Sequence, residues 1–303
     1  MPNVQASILA RLKKVSSAQR KAHNLILRLY FQERLLFRLS LSPYKERFIL
    51  KGGLFLYSLS ENMSRPTKDM DFLGKQISND MEAIKKAFKV VCQITPEVDD
   101  GVTFDVDSID IERIKEDADY EGVRLKLMGK IGVVTERLQL DIGFGDIVIP
   151  DAEIREYPTL LNSEKPEILS YTLESVISEK FEAMISLSIA NTRLKDFYDI
   201  YSMLSIKKFE GLVLYEAIFE TFQKRGTNII KDHVLFSNEF SEDEQRNNQW
   251  NAFLNRSGFE YLPFTEVMDK LTIFLKPLYE SIIAQDEFLA NWNIKDQEWI
   301  RIT

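Results

Sequence analysis

Apolar residues recur at helical spacing through the first forty positions. Leu25, Ile26, Leu29, Tyr30 and Leu36 are among those that predict helix over 5–40. Ser42-Pro43 ends that run. A short helix from about Gly53 to Leu59 should precede a strand around Met70–Leu73. Asn79-Asp80 is placed to cap a helix over roughly 80–92, whose Met81, Ile84, Phe88 and Val91 share one face. The pattern then changes period. Residues 102–113 and 122–145 alternate like strands, as in Val123-Leu125-Leu127 and Leu138-Leu140-Ile142, with a turn expected at Gly129-Lys130 or Thr135-Glu136. From about residue 168 the chain should turn helical, with Ser170 or Thr172 as the cap. The polar stretch Asn238–Gln249 reads as a loop.

The chain has 303 residues, 45 % of them apolar, enough to bury a core. Its one cysteine, Cys92, rules out an internal disulfide and suits a reducing cytoplasm. No signal peptide or membrane-spanning run is expected. With only His23 and His233, histidine-based zinc chemistry and a histidine-centred triad are disfavoured. Net charge is −8, but residues 1–51 alone carry +9 and the remainder −17. A basic N-terminal segment on an acidic body suits a grip on a phosphate backbone, or else a solvated helix pair.

The candidate chemistry centres on residues 51–72. Lys51-Gly52-Gly53 opens a helix, and glycines there let backbone N–H groups approach a phosphate. Asp69-Met70-Asp71 follows. On a strand both carboxylates project to one face, where they can hold a hard divalent ion. Two other Asp-x-Asp pairs compete, Asp105/Asp107 and Asp117/Asp119. The first lies on an alternating strand, where a solvated edge is the plainer explanation. Asp141 sits between Leu140 and Ile142, so it faces away from their core. Spacing leaves it as a solvent-facing aspartate or a third carboxylate. Lys180 falls beside the apolar stripe Leu173, Ile177, Phe181, Met184, where it either meets a phosphate or snorkels to water. Arg193 precedes Phe197 by one turn, with Asp196 at the edge of that face and Asp199 further out. A local Arg193–Asp196 pair is the simple alternative. Thr67 would share the face of Asp69 and Asp71. It is either a turn residue or a site where a phosphoryl group would repel metal and triphosphate.

These motifs resemble the AbiEii/AbiGii toxin family, nucleotidyltransferase-like proteins of abortive-infection and type IV toxin–antitoxin systems. The resemblance runs through Leu35-Leu36-Phe37-Arg38-Leu39-Ser40, Tyr44, Phe48-Ile49-Leu50-Lys51-Gly52-Gly53 and Arg65-Pro66-Thr67-Lys68-Asp69-Met70-Asp71-Phe72. It continues at Gln139-Leu140-Asp141-Ile142-Gly143-Phe144-Gly145-Asp146, Glu179-Lys180-Phe181-Glu182-Ala183 and Arg193-Leu194-Lys195-Asp196-Phe197-Tyr198-Asp199, fading after about residue 205. The usual Gly-Ser of the wider superfamily is Gly-Gly here.

The resemblance implies an α+β fold: a nucleotidyltransferase-like mixed sheet with flanking helices over 1–160, and a helical C-terminal domain over 161–303 that completes the active site. It implies Mg²⁺, with Mn²⁺ as a substitute, on Asp69, Asp71 and Asp141. Lys180 and Asp196 would be catalytic, and Lys51, Gly52, Gly53, Arg65, Thr67 and Arg193 would bind the NTP. The acceptor would be the 3′ end of tRNA or another RNA, and the partner an AbiEi-like antitoxin. Transfer to a protein or small molecule is the second reading. A catalytically silent nucleotide-binding module is the third, and has no need of three such carboxylates.

Overall fold

The computed structural model describes residues 4–59, 67–117 and 120–302. Arg65, Pro66, Ala118 and Asp119 lie outside the described residues. The chain folds into two compact units. The first comprises Met1–Gly145 and Ala152–Tyr171, the second Asp146–Asp151 and Thr172–Thr303.

The first unit opens with helices α1 (Val4–Gln19) and α2 (His23–Leu41). The helical periodicity of 5–40 is carried by these two helices, separated at Arg20, whose φ of 53° no helix interior accepts. Then come β1 (Phe48–Lys51), α3 (Gly52–Leu59), β2 (Asp69–Gly74) and α4 (Met81–Gln93). Asp80 caps α4, its carboxylate accepting from the Ala83 N–H at 3.0 Å. Ile84, Phe88 and Val91 form the buried stripe, joined by Ala87 and Cys92, whose thiol burial pushes up to about 12. Strands β3 (Thr103–Asp117), β4 (Tyr120–Ile131), β5 (Val134–Phe144), β6 (Glu153–Glu156) and β7 (Glu167–Ser170) complete the unit.

The seven strands form one mixed sheet in the order β3-β4-β5-β2-β1-β7-β6. β2 and β5 are parallel, as are β1 and β7, and the other neighbours are antiparallel. The turn between β4 and β5 is Gly132-Val133 rather than either expected pair. Gly132 takes φ 59° and Val133 is fully out in water. Phe48 and Leu50 of β1, Met70 and Phe72 of β2, Leu138, Leu140 and Ile142 of β5, and Val123 and Leu125 of β4 make the apolar face.

α2 buries an unusual run of polar residues, Gln32, Glu33, Arg34 and Arg38. Each anchors a distant segment. Arg38 grips both oxygens of Asp100 at 2.9 and 3.0 Å. Arg34 pairs with Glu33 at 2.6 Å and donates to the Glu164 carbonyl. Glu33 accepts from the Leu160 N–H at 2.7 Å. Burial outweighs the Arg34 charge and pushes the Glu33 carboxyl up to about 7.

The second unit is helical: α5 (Leu173–Leu187), α6 (Leu194–Met203), α7 (Gly211–Arg225), α8 (Asn238–Ser241), α9 (Glu244–Ser257) and α10 (Phe264–Ala284). Of the two expected caps Thr172 is the one that caps α5, and Ser170 ends β7 just before it. The loop expected over 238–249 is mostly helix. Asp243 caps α9 through the Arg246 N–H, and Trp250 and Leu254, four apart, bury one side of a mostly polar helix. Arg246 is itself buried and donates to the carbonyls of Ile189 and Asn191. A hairpin of β8 (Ala290–Asn293) and β9 (Glu298–Arg301) was not expected. Its Trp292 and Trp299 donate to the Leu204 and Phe274 carbonyls and pack on Phe274.

Candidate active site

Strand register builds a row of charges across the sheet. Lys51 on β1 is opposite Asp71 on β2, Asp71 is opposite Asp141 on β5, and Asp141 is opposite Arg124 on β4. Register partners share a face, so the row reads plus, minus, minus, plus. Two residues along, Asp69 lies opposite Gln139. Leu50, Phe72, Ile142 and Val123, on the other face of the same strands, are buried. That burial fixes the register, because a slip by one residue would turn the carboxylates into the core.

Arg124 holds Asp141 through both oxygens, Nε to Oδ1 at 2.8 Å and Nη2 to Oδ2 at 2.7 Å. The Gln139 amide adds longer contacts at 3.3 and 3.4 Å. The hydrogen bonds and charge of Asp141, with the charge of Asp69, hold the Arg124 guanidinium pKa above its usual value. Arg124 is the residue that sequence reasoning missed. Its signal was the same alternation that singled out Asp141, since Val123 and Leu125 flank it as Leu140 and Ile142 flank the aspartate.

The glycine pair has a local reason to be there. Gly52 has φ 67°, and a Cβ on it would collide with the Asp71 carboxylate; one on Gly53 would lie 2.8 Å from the Thr67 Cβ. Both glycines are therefore roofed, Gly52 by Asp71 of the acidic strand and Gly53 by Thr67 two residues ahead of it. Thr67 is buried, its hydroxyl donating to the Asp69 carbonyl at 3.2 Å. A phosphoryl group there would have to open this packing. The Lys51 ammonium lies 5.6 Å from the Tyr171 ring centroid, within cation–π range.

The donor set is all oxygen and suits a hard divalent cation such as Mg²⁺ or Mn²⁺. Asp69 and Asp71, half-buried on one face, fit that role. Asp141 has the position but turns its oxygens to Arg124. Among the described residues no three His, Cys, Asp or Glu side chains are grouped closely enough to hold a metal ion. The competing pair does something else: Asp105 takes Lys130 at 2.8 Å and Asp107 is exposed.

The remaining predicted residues meet in the second unit. Lys180 on α5 reaches Asp196 at 2.6 Å and Asp199 at 2.8 Å on α6, and Arg193 reaches the other Asp196 oxygen at 2.7 Å. Lys180 does not snorkel; it is 9 % exposed, and Asp196 and Asp199 are buried rather than peripheral. Burial opposes every charge here. The two carboxylates nonetheless hold the Lys180 pKa above its ordinary value, and Lys180 and Arg193 hold that of Asp196 below its own. Lys51, Gly52, Gly53, Thr67, Asp69, Asp71 and Asp141 are thus gathered in the first unit, and Lys180, Arg193 and Asp196 in the second.

The family model described as "Nucleotidyl transferase AbiEii toxin, Type IV TA system" matches residues 34–270. The chain belongs to the AbiEii family. It is a nucleotidyltransferase of a toxin–antitoxin family, and membership implies an antitoxin partner. The match begins within α2 and ends within α10, so it spans both clusters. A search of curated proteins finds no match. Two solved Helicobacter pylori proteins are similar in structure. One, assigned as a nucleotidyltransferase, is 15 % identical with a TM-score of 0.49, over 88 % of this chain and 100 % of its own. The other, JHP933, is 14 % identical with a TM-score of 0.48, over 87 % and 95 %. Among the described residues no helix of this AbiEii protein is long and apolar enough to cross a membrane.

Proposed function

We propose that this AbiEii protein transfers NMP from an NTP to an acceptor hydroxyl in a metal-dependent reaction, and that the acceptor is the 3′ end of tRNA, which blocks translation. The observation that carries this reading is the alignment of Asp69, Asp71 and Asp141 on one face of two adjacent strands. A divalent cation bound there supplies positive charge for the triphosphate and for the leaving pyrophosphate. Asp69 and Asp71 would hold it, with Asp141 as the third carboxylate. The acceptor oxygen bonds to the α-phosphorus, the bond to the β-phosphate bridging oxygen breaks, and the hydroxyl proton passes to a carboxylate or water. Lys51, the glycine pair and Arg193 would orient the phosphates, and Lys180 and Asp196 would serve the transfer. Such catalysis needs positioning and charge more than covalent chemistry.

An RNA acceptor is supported by the exposed cations on and just after α1. Lys13, Lys14 and Arg20 remain on the surface, whereas Arg34 and Arg38 are consumed by internal pairs. The usable basic face is therefore smaller than the +9 of the sequence.

The test is incubation with each labelled NTP, Mg²⁺ and total RNA. Label should enter a tRNA-sized band, and Asp69→Asn or Asp71→Asn should abolish it while Asp105→Asn and Asp107→Asn keep it. Label in protein or in a small molecule would move the assignment to the second reading. Full transfer by both Asp69→Asn and Asp71→Asn would remove the site.

A further inference from the structure

We propose that Arg124 is a built-in counter-ion for the acidic row, holding Asp141 until a divalent cation displaces it and so setting the metal affinity of the site. This rests on the metal-dependent reading above and deepens it.

The geometry leaves little choice. A carboxylate gripped at both oxygens by one guanidinium has its best lone pairs occupied. Asp141 is so gripped, and its register partner is Asp71. It can turn those lone pairs to a cation beside Asp71 only by releasing Arg124. Without either cation, Asp69, Asp71 and Asp141 would set three negative charges on neighbouring positions of two strands, an arrangement that repels itself. Arg124 supplies positive charge to this row from β4 through its two-pronged contact with Asp141, as Lys51 does from β1 opposite Asp71.

A comparison within the same unit separates a displaceable pair from a permanent one. Arg38 and Asp100 form the same two-pronged contact, but their side chains are only 3 % and 6 % exposed. Arg124 is 32 % exposed and Asp141 12 %. The Arg124 side chain can therefore leave into water at little desolvation cost, which the Arg38 side chain cannot. Among the other acids, Asp69 and Glu112 act on Arg124 through their charge. Its register partner on β3, Glu112, is already paired with Lys126 at 2.8 Å.

Displacement predicts a trade-off that a purely structural pair would not show. Removing Arg124 should tighten the metal site, because the cation no longer competes with a tethered charge. The measurement is Mn²⁺ binding by calorimetry on the full chain, beside the rise of Tm with Mg²⁺. In Arg124→Gln the half-saturating Mn²⁺ concentration should fall about 1.5-fold to fivefold, the range for a partly exposed ion pair. Arg124→Lys, which keeps the charge but loses the fork, should fall between the two and covers the case of a Gln variant that does not fold. In an Asp141→Asn background, Arg124→Gln should bring no gain. An unchanged or higher midpoint in Arg124→Gln, the same gain without Asp141, or no metal response in any variant would overturn the proposal. Labelled NMP transfer by the unaltered chain is read separately, so normal transfer with unshifted midpoints sinks the Arg124 role alone.

Discussion

The Asp71 carboxylate occupies the space that a Cβ on Gly52 would need. Position 52 is therefore tied to the acidic strand, and its φ of 67° disfavours an L side chain independently. Gly52→Ala should displace Asp71 or distort the turn into α3. The left-handed conformation alone costs about 1–2 kcal/mol for alanine, so Tm should drop measurably and NMP transfer should fall further than Tm explains. Gly226→Ala is the control, since its φ of 62° is similar but no atom lies within 4 Å of the added Cβ. Equal effects at both positions would show that contact with Asp71 is irrelevant.

The Lys180 cluster should behave as a buried ion network. Lys180→Met removes the ammonium that two buried carboxylates share and leaves Asp196 with Arg193, a change that costs about 3–5 kcal/mol in comparable cases. The pH sign follows from the two shifts. The folded Asp196 pKa lies below its unfolded value, so its contribution is present above about pH 3.9 and is lost as pH falls through the folded value. The folded Lys180 pKa lies above its unfolded value, so its contribution is present below about pH 10.4 and is lost as pH rises through the folded value. Denaturant midpoints should show these contributions flat between those limits in the wild type and absent from the variant.

Glu33 should tilt that plateau the other way. Its folded pKa of about 7 exceeds the unfolded value, so the folded chain binds the extra proton between roughly pH 4.5 and 7. Stability should decline as pH rises through that window and level off above it. Glu33→Gln keeps an acceptor for the Leu160 N–H and should remove the decline. A wild type whose midpoint rises steadily from pH 5 to 7 would contradict the raised value.

The exposed face of α1 is open to a salt test. Reversing Lys13 and Lys14 of α1 and Arg20 just after it to Glu should weaken RNA binding and flatten its dependence on salt, each lost phosphate contact removing about 0.7–0.9 from the log–log slope. Binding of free NTP should be spared. Arg11 is left out because it donates to the Leu161 carbonyl and its loss would disturb packing. An unchanged slope would reduce α1 to a solvated surface.

Local periodicity carried much of this architecture into view. Alternation around Met70–Leu73 and Leu138–Ile142 put Asp69, Asp71 and Asp141 on the side away from the core, and Asp80 and Thr172 were readable as caps. Register was not readable. Nothing near Asp71 says that its partner is Asp141, because a parallel pairing of distant strands is decided by the whole sheet. The buried cations of α2 were hidden for the same reason, since Arg38 finds Asp100 and Arg34 finds Glu164 far along the chain. Helix α9 was missed because its polar residues outnumber Trp250 and Leu254, and two anchors four apart are a thin signal. Lys180 was seen to face inward, but its two aspartates come from the next helix, and only packing brings them to it.

The sheet order also governs how this protein can be cut. β7 lies between β1 and β6, yet it follows residues 146–151, which belong to the second unit and are fastened there by Asp146 to Arg225 and by Ile149 to Thr172 and Ser175. The two units are therefore interleaved along the polypeptide rather than strung end to end. A fragment that stops after β6 would leave the outer edge of β1 as an open ladder of hydrogen-bonding groups, ready to recruit a strand from another molecule. A protease nick between β6 and β7 would instead leave both pieces woven into one sheet, and the nicked chain would stay together until it unfolds.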